Sequence, residues 1–231
     1  MTTTPKMLWA ALLTLTLSGC KKEVPEYRFT AEQLAWQPYR TGDVLRFGHA
    51  RNGRIRTFRI SKVDDRIESP YNCGGIALGG CPVSRLQYIT VEAQRTDTVR
   101  YFRHSATTTA PSDSSAYNGS DPLLEMWLDD DHGSSATPVV VARLTWDFSA
   151  LGGLPLQGVT AGTVVNDATV QVLPAVQLGG SSYGQTLLLT RPATVYQTYL
   201  RARPVRSLYY AKGHGVVGFV EQGADLWYRL P

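Results

Sequence analysis

The chain is predicted to fold as an all-β protein, an antiparallel sandwich or partly open barrel built from hairpins and meanders, carried on a flexible N-terminal tether. Three observations lead there. Apolar residues beyond position 40 recur mostly with period two, the spacing that lines one face of a strand. The short apolar stretches are separated by Gly, Asn, Asp and Ser clusters, which favour turns. No segment beyond position 40 holds the 3.6-residue period of an amphipathic helix. With 231 residues, 43% of them hydrophobic, the chain can bury a sizeable core in one domain or two small ones.

The first element is a leader. Lys6 supplies a positive charge, Met7 to Leu17 is apolar, and Ser18-Gly19 are the small residues a signal peptidase needs beside its cut. That apolar stretch is shorter than the ~20 residues needed to span a bilayer. Leu17-Ser18-Gly19-Cys20 resembles the lipobox of bacterial lipoproteins. The resemblance implies cleavage before Cys20, a diacylglyceryl group on its sulfur and a fatty acyl chain such as palmitate on its amino group. Each buried methylene contributes about 0.8 kcal/mol, so two or more chains anchor stably. Residues 1–19 are thus read as a cleaved signal peptide, 20–38 as the acylated cysteine and tether, and 39–231 as the β-rich domain. Lys21 and Lys22 follow the cysteine without an aspartate, which gives no inner-membrane retention signal. The expected location is the bacterial outer membrane, on its periplasmic or its surface face. Within the tether, Thr30 as a cap and Gln33 as its reciprocal partner predict a brief helix over 30–36.

Strands are predicted at 43–48 and 54–63, with Ile55, Thr57 and Arg59 on one face against Arg56, Phe58 and Ile60 on the other. Asn52-Gly53 between them is the pattern of a type I′ hairpin turn. A second hairpin is expected from 86–95 and 99–104, turning at Thr96-Asp97-Thr98. Further strands are expected at 123–128 and 139–148, the latter placing Val140, Ala142, Leu144, Trp146 and Phe148 on one face. Later strands follow at 169–173, 185–189 and 195–200, and a meander at 207–211, 216–221 and 225–230 closes the chain. Residues 105–121 are rich in Ser, Thr, Ala and Pro and read as a surface loop; residues 149–162, rich in Gly and Pro, are where the β domain would divide in two.

After Cys20 the remaining cysteines are Cys73 and Cys81, flanking a glycine-rich loop. An even pair in an exported chain is read as a disulfide, contributing about 2–3 kcal/mol for so short a loop. The formal net charge is +4, with arginines scattered along strands rather than massed, which argues against a nucleic-acid partner.

Chemical constellations are sparse. Glu125, Asp129, Asp130, Asp131 and His132 cluster in sequence, and Asp129, Asp131 and His132 are the candidate cation ligands. The spacing departs from the alternating acids of a calcium loop and fits a solvated hairpin tip better, so no metal or cofactor is expected. His49, His104, His132 and His214 are isolated, and His49 and His214 read as turn residues. Gly179-Gly180-Ser181-Ser182-Tyr183-Gly184 is not a nucleophile elbow. Trp127, Trp146, Trp227, Tyr196, Tyr199, Tyr209, Tyr210 and Tyr228 suit a β core better than a stacking platform, and adjacent Tyr209 and Tyr210 must face opposite ways.

The C-terminal run Tyr209-Tyr210-Ala211-Lys212-Gly213-His214-Gly215-Val216-Val217-Gly218-Phe219, followed by Trp227, resembles the closing hairpin of uncharacterised β-rich envelope lipoproteins of the Bacteroidota. The opening stretch 39–65, with Gly42-Asp43 ahead of two strands, is similar in style. The resemblance implies a β-rich envelope lipoprotein and brings no catalytic residues.

The expected function is therefore a lipid-anchored, non-catalytic binding or scaffold module, with an envelope protein or glycan as partner. One alternative is a carrier whose half-barrel cavity, lined by Leu187, Leu189, Val216 and Phe219, holds an apolar ligand. The other is a hydrolase using residues 129–132. The anchor is directly testable: Cys20→Ser should move the protein from the membrane to the soluble fraction, and continued sedimentation with membranes would refute it.

Overall fold

The computed structural model describes residues 24–69, 84–96, 99–103, 114–117, 120–129, 137–164, 166–191, 199–200, 204–221 and 225–231. Cys20, the Cys73–Cys81 loop, Asp131 and His132 lie outside them.

The chain is all-β, as its periodicity demands. It opens with β1 (Glu26–Tyr27), α1 (Ala31–Leu34), β2 (Val44–His49), β3 (Ile55–Glu68) and β4 (Arg85–Arg95). There follow β5 (Val99–Arg103), β6 (Ser114–Tyr117), β7 (Ser120–Asp129), β8 (Val139–Trp146), β9 (Ser149–Gly153) and α2 (Leu156–Ala161). The last third holds β10 (Val170–Leu173), β11 (Val176–Leu178), β12 (Ser181–Tyr183), β13 (Thr186–Thr190), β14 (Tyr199–Leu200), β15 (Val205–Ala211), β16 (Gly215–Glu221) and β17 (Asp225–Arg229).

Eleven of these strands form one antiparallel path, β10-β13-β15-β16-β17-β2-β3-β4-β7-β8-β9, and β1 adds in parallel beside the start of β4. The path curls into a half-barrel whose far strand β9 packs against β15 and β13. The Ser149 Oγ at the start of β9 accepts the Val205 N–H of β15 at 3.1 Å, tying the two ends together. Rings drive the curl. Phe47, Phe58, Trp146, Phe219 and Trp227 all face inward, 0–3% exposed, with neighbouring centroids 4.4–5.9 Å apart in mostly edge-to-face or tilted contacts.

One pole of the half-barrel is plugged. Thr30 and Gln33 close the predicted capping box around α1, and just beyond it Trp36 is fully buried, stacked on Tyr210 with centroids 6.3 Å apart. The Tyr210 hydroxyl donates to the Trp36 carbonyl at 2.6 Å, and the Tyr39 hydroxyl accepts the Val216 N–H at 2.7 Å. Burial pushes both phenols above their ordinary range, so they stay neutral. The tether expected over 20–38 therefore ends earlier than the polar composition indicates. Phe29 and Trp36 carry apolar area that only the interior can remove from water, and from β1 onward this segment belongs to the globule.

Four other expectations change. Residues 149–162 do not divide the body: they form β9, hydrogen-bonded to β8, and α2, whose Leu156 and Val159 enter the same core as Phe29 and Trp227. The expected hairpin of 86–95 with 99–104 does not form, because β5 leaves β4 and pairs with β6 and β14 in a separate three-stranded sheet. Phe148 leaves the face it was predicted to share with Trp146, since Asp147 and Phe148 form a two-residue turn with φ of 49° and 60°. At Asn52-Gly53 only the glycine takes a positive φ, of 67°. The turn is longer than type I′, with the Gly53 N–H donating to the His49 carbonyl at 3.3 Å and the Arg54 N–H to Asn52 Oδ1 at 3.1 Å.

Outside the curl, the β11–β12 hairpin brings Leu178 and Tyr183 onto a smaller apolar cluster with Ala211, Val217, Tyr209 and Tyr228. Tyr209 and Tyr210 thus serve opposite faces, as a strand requires. A bulge between Tyr209 and Tyr210 skips Val217, which lets Val216 point inward and Val217 outward.

Gly213 and Gly215 share a φ of 74°, but only at Gly215 would a Cβ collide, 2.1 Å from the Tyr39 hydroxyl. Gly213→Ala should cost about 1 kcal/mol for left-handed backbone alone. Gly215→Ala should cost at least twice that by urea denaturation, because the plug must also shift.

Candidate functional site

The pole opposite the plug is charged, and among the described residues no segment covers it. Five inward-facing positions continue the apolar rows of their strands by one further step: His49 follows Phe47, Arg56 precedes Phe58, Arg95 follows Ala93, Glu221 follows Phe219 and Asp225 precedes Trp227. Pairing puts these steps side by side, with Phe47 opposite Arg56, Trp227 opposite His49, Glu221 opposite Asp225 and Phe58 opposite Arg95. The rows end together at a pocket of about 450 Å³, lined by those five residues, Trp227, Ile55 and the turn residues Arg51, Asn52 and Arg54.

Its floor is an ion pair. Glu221, 1% exposed, receives Arg56 in a two-pronged contact, Nη1 to Oε1 at 2.5 Å and Nη2 to Oε2 at 3.1 Å. The Trp227 indole N–H donates to Oε2 at 3.1 Å, and the Arg56 guanidinium lies 3.9 Å from the Trp227 ring centroid. Trp227 therefore supports both charges at once.

His49 stands edge-on to Trp227 at 4.7 Å. Its Nδ1 accepts the Arg51 backbone N–H at 3.2 Å, so the neutral ring carries its proton on Nε2, which faces Asp225 Oδ1 at 3.7 Å. One nitrogen is thus taken by backbone and the other turned to a carboxylate. A histidine base needs a lone pair directed at its substrate. His49 Nδ1 holds the β2–β3 turn, and its Nε2 is turned toward Asp225.

Beside the pocket, Arg95 reaches Asp147 Oδ2 at 3.3 Å, and Asp121 Oδ2 accepts the Phe148 N–H at 2.7 Å. These carboxylates hold the strained Asp147–Phe148 turn. Burial, opposed by the Phe148 hydrogen bond and reinforced by Asp147 and Glu125, pushes the Asp121 carboxyl up to about 7.

The residues singled out from sequence are placed elsewhere. Asp129 ends β7 exposed, at the plugged pole and far along the strand from Asp121. His214 sits in the turn ahead of β16, against Tyr183. Among the described residues no group of three His, Cys, Asp or Glu side chains is arranged to hold a metal ion, and no helix is long and apolar enough to cross a membrane. Leu187, Leu189, Val216 and Phe219 are fully buried members of the packed core. No protein-family model, curated protein or solved structure matches the chain.

Removing one partner of the floor should be costly. Arg56→Met, which strips the guanidinium from buried Glu221, should destabilise by about 3–5 kcal/mol in chemical denaturation. The double substitution Arg56→Met with Glu221→Leu should recover most of that loss, and a double mutant as unstable as the single one would refute the ion-pair account.

Proposed function

We propose that this protein is a lipid-anchored, non-catalytic binding module of the bacterial envelope, and that the charged mouth of the half-barrel is its binding face. The relation between the two poles carries this reading. The chain enters the fold at β1, beside Arg85 and Leu86 at the start of β4. The pocket lies at the other end of that strand, at Arg95. Arg95 lies nine steps along the strand from Leu86, about 30 Å of extended chain at ~3.3 Å per residue. A lipid on Cys20 would tether the plugged pole to the membrane and turn the mouth away from it, toward whatever the aqueous side supplies.

Binding fits the mouth better than catalysis. Its deepest acid is engaged by Arg56 and Trp227, and the Nδ1 of its histidine is taken by the Arg51 N–H. The pocket falls within the 300–1,000 Å³ range typical of small-molecule sites, and its charged lining suits a hydrated, polar occupant.

Ile55 stands at the rim, 52% exposed, so a larger side chain there blocks the mouth without entering the core. Full-length protein incubated with envelope extract and examined by native mass spectrometry should carry a bound species that Ile55→Trp loses. An adduct retained by Ile55→Trp would refute the mouth as the binding face, as would the absence of any adduct on the unaltered protein.

A further inference from the structure

We infer that Asn166 and Asp167 guard the free edge of the large sheet and keep a second copy of this chain from adding its own β10 there. The path of strands ends in β10 on one side and β9 on the other. β9 is turned onto β15 and tied to Val205 through Ser149. β10 has β13 on one side and, among the described residues, no strand on the other. Its sequence, Val170-Gln171-Val172-Leu173, carries neither charge nor proline, two of the usual devices that discourage strand addition at an edge. Val170 and Val172 pack against the core, and Gln171 is exposed.

The register identifies the backbone groups at stake. The Thr190 N–H donates to the Thr169 carbonyl at 2.7 Å. Thr169, Gln171 and Leu173 therefore turn their N–H and C=O groups toward β13, and Val170 and Val172 turn theirs outward. The guard takes up three of those four outward groups. The Val170 N–H donates to Asp167 Oδ1 at 2.8 Å, the Val170 carbonyl accepts the Asp167 N–H at 2.9 Å, and the Val172 N–H donates to Asn166 Oδ1 at 2.7 Å. Asp167 is itself fixed, because its Oδ1 also accepts the Thr169 hydroxyl at 2.8 Å and the Thr169 N–H at 2.6 Å. The Thr169 hydroxyl, and then the Val170 and Thr169 N–H groups, hold its carboxyl below the ordinary carboxylate range, so the acceptor stays ionised at neutral pH.

The partner excluded is another copy of the same strand. Two β10 strands set antiparallel about a two-fold axis at Gln171 would pair Val170 of one with Val172 of the other, donor to acceptor in both directions. That pairing needs the groups that Asn166 and Asp167 hold. The guard lies only a few residues along the chain from the strand it covers, so it competes at an effective concentration of about millimolar, which a dilute second chain does not match.

The test is disulfide trapping in full-length protein in detergent. In the two-fold pairing the Gln171 Cα atoms of the two copies face each other as a non-hydrogen-bonded pair, about 4.5 Å apart and within reach of a disulfide. Gln171→Cys in the otherwise intact chain, oxidised with diamide, should give no bridge between copies at position 171. With Asn166→Ala and Asp167→Ala added, the bridged dimer should become the main product, its link located at position 171 by peptide mapping. Without the new cysteine, the same double substitution should shift the sedimenting species from monomer toward dimer as concentration rises. Asn166→Ala alone frees the Val172 N–H and leaves the Asp167 turn standing, and it becomes the deciding variant if a melting curve shows that the double one does not fold. Equal bridging with and without the guard overturns the inference, and so does a folded deciding variant that stays unbridged and monomeric.

Discussion

Glu221 is a carboxylate with 1% of its side chain exposed, set on top of an aromatic core. Removing such a charge from water costs several kcal/mol unless well-placed partners replace the lost hydration. Arg56 and Trp227 provide that replacement, and their positions set the shape of the molecule. Arg56 is on β3 and Glu221 on β16, with β17 and β2 between them. In a flat sheet those three steps separate the outer strands by about 14 Å at ~4.8 Å each. Their contact at 2.5 Å closes that span across the inner face of the curled sheet. The pair marks the level at which the dry interior stops. Below it the inward side chains are mostly apolar, with Gln87 a buried exception bonded to Phe29 and Asp65; at its level they are charged.

The two poles answer the same physical problem in different ways. A curled sheet that does not close leaves polar backbone and apolar side chains exposed at its ends. At the lower end the chain spends its first described residues on a cover. α1 is short, four residues, and gains little stability as an isolated helix. It holds because Trp36 follows it into the core, because the Ala35 carbonyl accepts the Gly213 N–H at 2.8 Å, and because Lys212 and Glu32 pair across the same contact. Two buried phenols then satisfy backbone groups that no strand reaches. The upper end has no such cover among the described residues, and its charges are matched by pairing instead.

Local features of this architecture were plain in the sequence, and long-range ones were not. Period two identified the buried face of β8 through Val140, Ala142, Leu144 and Trp146, because each strand residue chooses its face by parity alone. Thr30 and Gln33 announced the capping box, whose bonds close within three residues. Parity cannot reveal which strand pairs with which. β17 joins β2 through Trp227 and His49, and β14 joins β5 through Tyr199 and Arg103, each across a large part of the chain. A turn at 96–98 reads as a hairpin because short connections usually join neighbours. Residues 20–38 read as a tether because their polar residues outnumber Phe29 and Trp36, yet both of those rings are buried. The pocket is hidden in the sequence for the same reason as the pairings. Arg56 and Glu221 are 165 residues apart, and His49 taken alone is indistinguishable from any residue beside a turn.

A trace of the pocket was nevertheless present. On β2, β3, β4, β16 and β17 the inward parity passes from an apolar residue to His49, Arg56, Arg95, Glu221 and Asp225 within one step. A single charged residue at inward parity usually marks a strand end. Five such changes, brought to one level by the register, make a charged rim instead. Two insertions leave from that rim: β5 and β6 lie between the upper ends of β4 and β7, and β14 lies between those of β13 and β15. These insertions come from opposite flanks of the sheet and still hydrogen-bond to each other. Rigid strands below and loop-borne elements above are the usual division between scaffold and recognition surface. Here the change of side-chain chemistry and the departure of these two insertions fall at the same height.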